Sequence, residues 1–321
     1  MQDLTFKILR ALGDGKFHSG EALAQHFKVS RATVWAAIKQ LESLGLTVFA
    51  VRGRGYQLAQ SAVLLDATEL ARVNPAQLAS FNWVILDAVE STNTYCMQRI
   101  RELPHATCVA ANVQTAGRGR RGRAWVSQLG ASLTFSVLWR FESGAAALSG
   151  LSLAIGLGIA RGLQQFGVDA QLKWPNDILV NNQKLAGVLI ELQGDMDGPS
   201  TAVIGVGMNV RLNAQLRANI DQPAIDLAQL GLEIDPNVLL GALLQQLQTV
   251  LQQFSQNGFA SLRDEWQGFH AHQHQTVTIL QANGNTQSGQ CMGVTEDGTL
   301  LLQTLAGIQK FASGEVSLRG V

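Results

Sequence analysis

Apolar side chains recur at helical spacing at the start of the chain, Leu4, Ile8, Leu9 and Leu12, and Gly13-Asp14-Gly15 closes that helix. Ser19 is placed to cap a second helix running to about Phe27, and Ser30 a third. The third helix presents Val34, Ile38, Leu41 and Leu44 on one face and Arg31, Thr33, Trp35 and Lys39 on the other, with Gly45 as its stop. Apolar residues at 48–51 and 56–58 then flank Arg52-Gly53-Arg54-Gly55, which predicts a β-hairpin with a basic tip. Three short helices followed by such a hairpin predict a winged helix-turn-helix. Its third helix would enter the major groove and its hairpin would touch the phosphates or the minor groove. The competing reading is a small helical protein-interaction module. Basic charge on both helix and hairpin favours DNA. The candidate contacts are Arg31, Thr33, Trp35, Lys39, Arg52 and Arg54, with Trp35 serving equally well as cover for the hairpin.

Residues 60–66 read as a short linker, followed by helical material at 66–73 and then Pro75. A strand at 81–89 runs into Glu90-Ser91-Thr92-Asn93, which can cap a helix over 94–103. Further strands are predicted at 108–113 and 132–139. Residues 148–166 are apolar and rich in Gly and Ala, as in a buried helix. Residues 171–177 lead into a hairpin that turns at Asn181-Asn182, and strands follow at 188–192 and 202–207. Between Arg211 and Gly231 the periodicity fades, which predicts a mobile loop with a short helix. Asp235 and Pro236 open a strong amphipathic helix that Asn257-Gly258 ends, and a second helix covers 259–269. From Thr276 onward short alternating runs are broken by Asn283-Gly284 and Asp297-Gly298, which predicts a small closed barrel of the SH3-like kind. The fold class expected is α+β multidomain: a winged helix-turn-helix over 1–62, a mixed α/β domain over 66–272 and a C-terminal barrel over 273–321.

Composition narrows the class. At 321 residues, 46% hydrophobic and 15% charged, the chain is globular and too long for one ordinary core. No apolar run reads as a membrane span, and Met1-Gln2-Asp3-Leu4 does not open like a signal peptide. Cys96, Cys108 and Cys291 are scattered and odd in number, as expected of reduced, buried thiols in a cytoplasmic protein. The net charge of zero hides an asymmetry: residues 1–60 carry eight Lys or Arg against four acids. A polyanion partner is therefore expected for that segment alone.

Gln114-Thr115-Ala116-Gly117-Arg118-Gly119-Arg120-Arg121-Gly122-Arg123-Ala124-Trp125 stands apart from every periodic segment. Four arginines and three glycines fall between Gly117 and Arg123, with no acid among them. Glycine lets backbone approach a ligand, and arginine offers a permanently charged fork for phosphate or carboxylate. Because strand-like runs flank it, the stretch reads as an ordered loop closing on a small anion, in preference to a flexible basic tether. His270, His272 and His274 alternate and could share a face of a strand. They lack Cys or carboxylate neighbours, so a solvated interdomain linker is the favoured reading over a metal site.

Five signatures now stand in order: Glu90-Ser91-Thr92-Asn93, the Gln114–Arg120 stretch, Lys173-Trp174-Pro175-Asn176-Asp177, Lys184-Leu185-Ala186-Gly187 and Gly205-Val206-Gly207-Met208-Asn209. Together they resemble the biotin–protein ligases. With the winged helix in front, the whole chain is similar to the bifunctional type that also represses the biotin operon. The resemblance implies a two-step reaction. Biotin and ATP, with magnesium, give biotinyl-adenylate and pyrophosphate; the acyl group then passes to a lysine of a biotin carboxyl carrier protein. It further implies Lys184, Arg120 and Asp177 as catalytic residues. Biotin would lie against Ser91, Thr92, Asn93, Gln114, Gly117, Arg118, Gly119, Arg120, Trp125, Lys184 and Gly187. The nucleotide would lie against Arg118, Arg120, Arg121, Lys173, Asn176 and Asn209. The chemistry agrees: neutral donors suit a ureido ring, and fixed cations suit two anions brought together. The family's corepressor is the adenylate, so a homodimer on an inverted-repeat operator is implied. One departure is plain. Some relatives stack a tryptophan on adenine in the segment after the Gly-rich strand; here residues 219–225 hold no aromatic, and Ala224 stands at that place. A ligand-sensing regulator without chemistry and a lipoate or octanoate ligase remain the alternative functions.

Overall fold

In the computed structural model, residues 2–60, 63–73, 81–281, 284–312 and 316–320 are described. Pro75 and Asn283, named above as breakers, lie outside them, as does part of the proposed 60–66 linker.

The N-terminal unit is built as the periodicity predicts: α1 (Gln2–Leu12), α2 (Gly20–Phe27), α3 (Arg31–Ser43), β1 (Val48–Val51) and β2 (Gly55–Leu58). Ser19 Oγ accepts from Ala22 N–H and Ser30 Oγ from Thr33 N–H, so both caps form. Val34, Ala37, Ile38 and Leu41 are the buried face of α3, while Leu44 is only partly covered. Trp35 is 55% exposed, so it is not the hairpin's cover.

The linker is anchored. Leu65 N–H donates to Asn112 Oδ1 (2.8 Å) and Asp66 N–H to Asn237 Oδ1 (2.9 Å). Then come α4 (Ala67–Val73), β3 (Asn82–Val89), α5 (Thr92–Gln98), β4 (Thr107–Gln114), β5 (Ser132–Phe141), α6 (Leu151–Gln164), β6 (Gln171–Lys173), β7 (Asp177–Val180), β8 (Gln183–Gly194) and β9 (Ser200–Asn209). These strands make one seven-stranded sheet, ordered β3-β4-β5-β9-β8-β7-β6, in which only β3 and β4 run parallel. After α7 (Ala214–Ala218), the long helix α8 (Pro236–Asn257) packs with α6 on one face of the sheet. That face contributes Phe135, Val137, Ile204 and Val206 to the main core. The window 145–164 has the length and a mean hydropathy, 1.5, that a membrane span would need, but it is 67% buried inside this layer and serves as core. On the other face α5, through Cys96, and Ile100 just beyond its end cover Val109, Leu138 and Val203. All three cysteines are free and buried.

The C-terminal part differs from expectation. After α9 (Arg263–Gly268), strands β10 (Thr276–Gln281), β11 (Thr286–Val294), β12 (Leu300–Thr304), β13 (Gly307–Phe311) and β14 (Val316–Gly320) form an antiparallel sheet ordered β13-β12-β11-β10-β14. Its edge strands β13 and β14 do not pair among the described residues, so the predicted closed barrel is replaced by an open five-stranded sheet. Short strands and hairpin dipeptides specify neighbours along the chain; they do not specify closure. The histidines are also corrected. His270 makes an isolated parallel bridge to Leu172 and residues 271–274 form a turn, not a strand, and His270 and His272 are buried, not solvated. Residues 211–231 carry the expected short helix as α7, together with a short 3-10 turn, Ala228–Leu230, and a parallel bridge between Lys184 and Ala224.

Candidate functional site

The site begins as missing side chains on the α5 face of the sheet. In register across three strands, Thr134 faces Gly207, which faces Gly187; one rung on, Ser136 faces Gly205, which faces Leu189. Three glycines and two small hydroxyl residues leave a hollow where other strands would carry bulk. An added Cβ on Gly205 would run into Asn93 Oδ1, and one on Gly207 into the Trp125 ring. The hollow is lined by polar groups from the start of α5. Ser91 caps that helix through Thr94 N–H. Gln114 Oε1 accepts from Thr92 N–H (2.7 Å) and Thr92 Oγ1 (3.1 Å), and Ser136 Oγ lies 2.7 Å from Thr92 Oγ1 and 2.6 Å from Asn93 Oδ1. Gln114 is thereby used to set the helix start.

The arginine stretch is ordered over this hollow. Gly119 N–H donates to Arg123 O, Trp125 N–H to Gly117 O, and Arg118 bridges Ala124, so the loop closes as a small irregular hairpin. Its tip is a 3-10 turn, Arg120–Gly122, with Arg121 at φ 58°. Gly117 is buried, and a Cβ there would lie 2.6 Å from Trp125 O. Trp125 lies on Gly207 with its indole Nε1 buried and unpartnered.

A second cavity, about 420 Å³, adjoins the hollow. Its wall is the arginine tip (Arg120, Arg121, Arg123), the strand and turn Lys173–Asp177, Lys184, Asn209 and the segment 219–224. Gly119, Arg120, Trp125, Asn176 and Lys184 line both spaces and mark their junction. There Lys184 Nζ is 2.6 Å from Asp177 Oδ1, with both side chains 17% exposed, and 5.8 Å from the Trp125 ring centre. Arg120 Nη1 donates to Asn176 Oδ1 (3.1 Å), and Asn176 Nδ2 to Val188 O (2.7 Å). Burial, and then the neighbouring Arg121, push the Arg120 guanidinium down from its usual value, with Asp177 opposing. It remains a cation, and one held short of water, where charge acts most strongly.

Not every expected residue sits where the resemblance implied. Arg118 lines only the hollow, not the larger cavity, and its Nη2 is already within 2.9 and 2.7 Å of both Glu191 oxygens. Asn209 lines the cavity, but its amide donates to Lys184 O and Ile225 O (both 3.1 Å), which fixes the backbone there. Glu191, Ser136 and Asp221 were not singled out in the sequence, and Arg123 was counted only as a member of the arginine stretch. The alternation of a polar residue with apolar ones along β5 and β8 was the one available signal for the first two. No cluster of three or more His, Cys, Asp or Glu fit for a metal ion exists among the described residues; Asp177 and Asp221 are the carboxylates of the cavity wall.

On the N-terminal unit, Arg31, Trp35 and Lys39 share the exposed side of α3. Lys39 Nζ is 6.0 Å from the Trp35 ring centre and ion-paired to Glu42, and Arg31 approaches Glu21 at 3.8 Å. Thr33 is tied to Ser30. Arg52 and Arg54 are exposed on the hairpin, Arg54 stacking on Phe17 at 4.1 Å.

Comparison with known proteins finds three domain models along the chain. The Biotin/lipoate A/B protein ligase family model matches residues 85–209, an HTH domain model 5–57, and the Biotin protein ligase C terminal domain model 275–319. The chain is 36% identical to the bifunctional ligase/repressor BirA of Escherichia coli (strain K12), covering 99% of both chains. It is 29% identical to that of Bacillus subtilis (strain 168) over 94% of both. A solved structure of the biotin protein ligase from Aquifex aeolicus in complex with biotin and ATP superposes with TM-score 0.63 at 29% identity, over 75% of this chain and 99% of that one. With its three domain models in order and a relative matched along nearly its whole length, this chain belongs to the bifunctional biotin ligase/repressor family.

Proposed function

We propose that the chain is an ATP-dependent biotin–protein ligase that also represses transcription when it holds its own adenylate. The observation that carries the ligase reading is the junction of two spaces at Lys184 and Arg120. An apolar-floored hollow with hydroxyl and amide groups suits a ureido ring, and the larger cationic cavity suits a nucleotide. Biotin in the first and ATP in the second would bring carboxylate and α-phosphate together where both cations point. Without them the two anions would repel; with them the charge on the forming mixed anhydride is stabilised. Ser91, Thr92, Asn93, Gln114, Gly187 and the Gly117–Gly119 backbone would hold biotin, with Trp125 as cover that excludes water. Lys173, Arg121, Asn176 and Asn209 would serve the nucleotide half, Asn209 by fixing Lys184. Asp177, beside Lys184, would orient or receive the proton of the incoming lysine.

Magnesium would fit this site as an ion carried in on the phosphates, with Asp177 and Asp221 as the wall carboxylates that could meet it, and would share the charge of departing pyrophosphate. The acceptor would be a lysine of a biotin carboxyl carrier protein. The C-terminal family match and the ligase relatives favour biotin over lipoate. The functional units follow residues 1–62, 66–272 and 273–321; the last would be a relative of SH3-like folds left open. The winged helix, through Arg31, Thr33, Trp35, Lys39, Arg52 and Arg54, would bind an inverted-repeat operator as one half of a homodimer, in the cytoplasm. Incubation with ATP and labelled biotin or labelled lipoate tests the enzyme reading. Transfer of biotin, not lipoate, to a carrier domain is expected, and ATP-independent or lipoate-only labelling would reject it.

A further inference from the structure

The Arg118–Glu191 pair has geometry that the anion-binding role of the arginine loop does not use. Glu191 sits on β8, two residues beyond Leu189 and opposite Val203, on the strand that floors the hollow. Both its carboxylate oxygens accept from Arg118 Nη2, and Oε2 also accepts from Asn93 Nδ2 at 2.8 Å. Asn93 in turn donates to Leu189 O at 3.2 Å and carries the Oδ1 that Ser136 contacts. One carboxylate therefore joins the loop, the start of α5 and the sheet. It lies outside the lining of both cavities, while Arg118 and Asn93 line the hollow.

We infer that Arg118 and Glu191 are positioning residues that latch the arginine loop shut over the hollow, and that Arg118 is not one of the cations that hold substrate anions. The inference rests on the ligase reading above. Three observations carry it. Arg118 is absent from the wall of the larger cavity, where the phosphates would lie, whereas Arg120, Arg121 and Arg123 are on it. Its guanidinium is already matched by a carboxylate, the partner it would otherwise seek in a ligand. Besides its internal Gly117–Trp125 and Gly119–Arg123 bonds, the loop is rooted by Thr115 N–H on Val89 O and Ala116 N–H on Glu90 O and touches Asn176 through Arg120, and its charge-paired tie to the sheet beside the hollow is Arg118 on Glu191. Through Asn93 the same carboxylate also senses the floor of the hollow, which ties loop closure to the shape of the pocket beneath it.

The test compares E191Q, R118A, the double variant and the exchanged pair R118E/E191R. For each, the rate of adenylate formation and the rate at which labelled biotinyl-adenylate escapes the full-length protein are measured, alongside a thermal melt. Wild-type turnover comes first; its absence would reject the ligase reading itself, before the latch is at issue. With turnover present, each single variant should let the adenylate escape about tenfold faster or more, the scale of one charge-assisted hydrogen bond. The double variant should be no worse than either single one, and the exchanged pair should recover much of the retention. Additive effects in the double variant, or a defect from R118A that E191Q does not share, would overturn the latch and return Arg118 to the anion site. Should R118E/E191R melt well below wild type, the non-additivity of the milder variants decides alone.

Discussion

Lys184 is the residue on which the proposed chemistry would turn, and its setting gives the reason. Its ammonium is anchored by Asp177, its backbone by Asn209 and the Pro223 carbonyl, and it faces both spaces at once. It is fixed before any ligand arrives, as a stabiliser of developing charge must be. Lys184→Ala should lower the rate of adenylate formation by about 10²-fold or more with an unchanged melting curve; near-normal single-turnover rates would remove Lys184 from the reaction. Trp125 shows the opposite economy. Its indole occupies the room above Gly207 with a buried, unpaired N–H, a state that costs about 1–3 kcal/mol. Biotin should move that ring. The tryptophan emission of the wild type should change on adding biotin, and Trp125→Phe should abolish most of the change; an equal response in both would show that the ring stays still.

At the scale of elements, the site was legible where chemistry sits in loops and illegible where it depends on register. Lys173, Asn176, Lys184 and the arginines stand in charged or polar stretches that no core could absorb. The hollow itself needs Thr134, Gly187 and Gly207 to meet across β5, β9 and β8, and a chain pattern does not state which strands are neighbours. Likewise the C-terminal sheet could be read as short strands, but not as open, nor as a support for the wall of the larger cavity. That support is concrete. Trp174 Nε1 donates to Gly298 O at 3.0 Å, Ser149 Oγ to Asp297 O at 2.7 Å, and Leu172 is paired through Phe269 O and Ala271 N–H. Residues 172–177 are thus held from behind by a turn that never touches the cavity. Gly298 has φ 79°, and a Cβ there would come within 2.8 Å of Gly150 Cα. Gly298→Val should push Trp174 outward and weaken ATP use by roughly 10–100-fold, since small displacements at a reacting site are costly, while biotin binding in calorimetry stays as in wild type. Equal losses for both ligands would mean general unfolding instead. The same junction predicts acid sensitivity. Burial drives His270 and His272 each down to about 4 from 6.5, partly offset for His270 by Gln273 and reinforced for His272 by Lys173. The folded state therefore keeps both neutral while the unfolded chain takes up protons. Their neutral-state contribution is intact above pH 6.5 and is lost as pH falls towards 4, by about 3 kcal/mol each at most. Melting temperatures should drop across that window, and less so in His270→Gln; a flat profile would contradict the burial argument.

At the scale of the molecule, the two activities meet in one short segment. Residues 126–129 leave the arginine loop directly and run under the winged helix. Leu129 and Val113 share the N-terminal unit's core with Leu9, Leu12 and Leu41, the Gln128 side chain packs against Gly45, and Arg10 pairs with Asp87 at 2.5 Å. From the same segment Ser127 Oγ accepts from Gln114 N–H, and Asn213 Nδ2 donates to Gln128 Oε1 at 2.9 Å. Fixing the loop over a bound adenylate would thus fix the seat of the DNA-binding unit, a contiguous packed route between the sites. Linkage then demands reciprocity: adenylate and operator must each raise the other's affinity by the same factor, typically about 5–150-fold, or 1–3 kcal/mol. The route makes a sharper demand as well. Leu129→Ala, remote from both ligands, should reduce that factor while leaving adenylate formation near normal. Operator binding at fixed salt, with biotin plus ATP and with ATP alone, measures it, since phosphate contacts make any value without stated salt meaningless. ATP alone should do little. Ala224 lines the larger cavity, and a nucleotide placed there as proposed would meet no aromatic on the segment 219–225, so the response should sit towards the lower end of that range. An operator affinity that adenylate leaves unchanged in wild type would reduce the chain to a ligase carrying an unconnected DNA-binding domain. A Leu129→Ala protein with the full wild-type factor would keep the switch but move its route elsewhere.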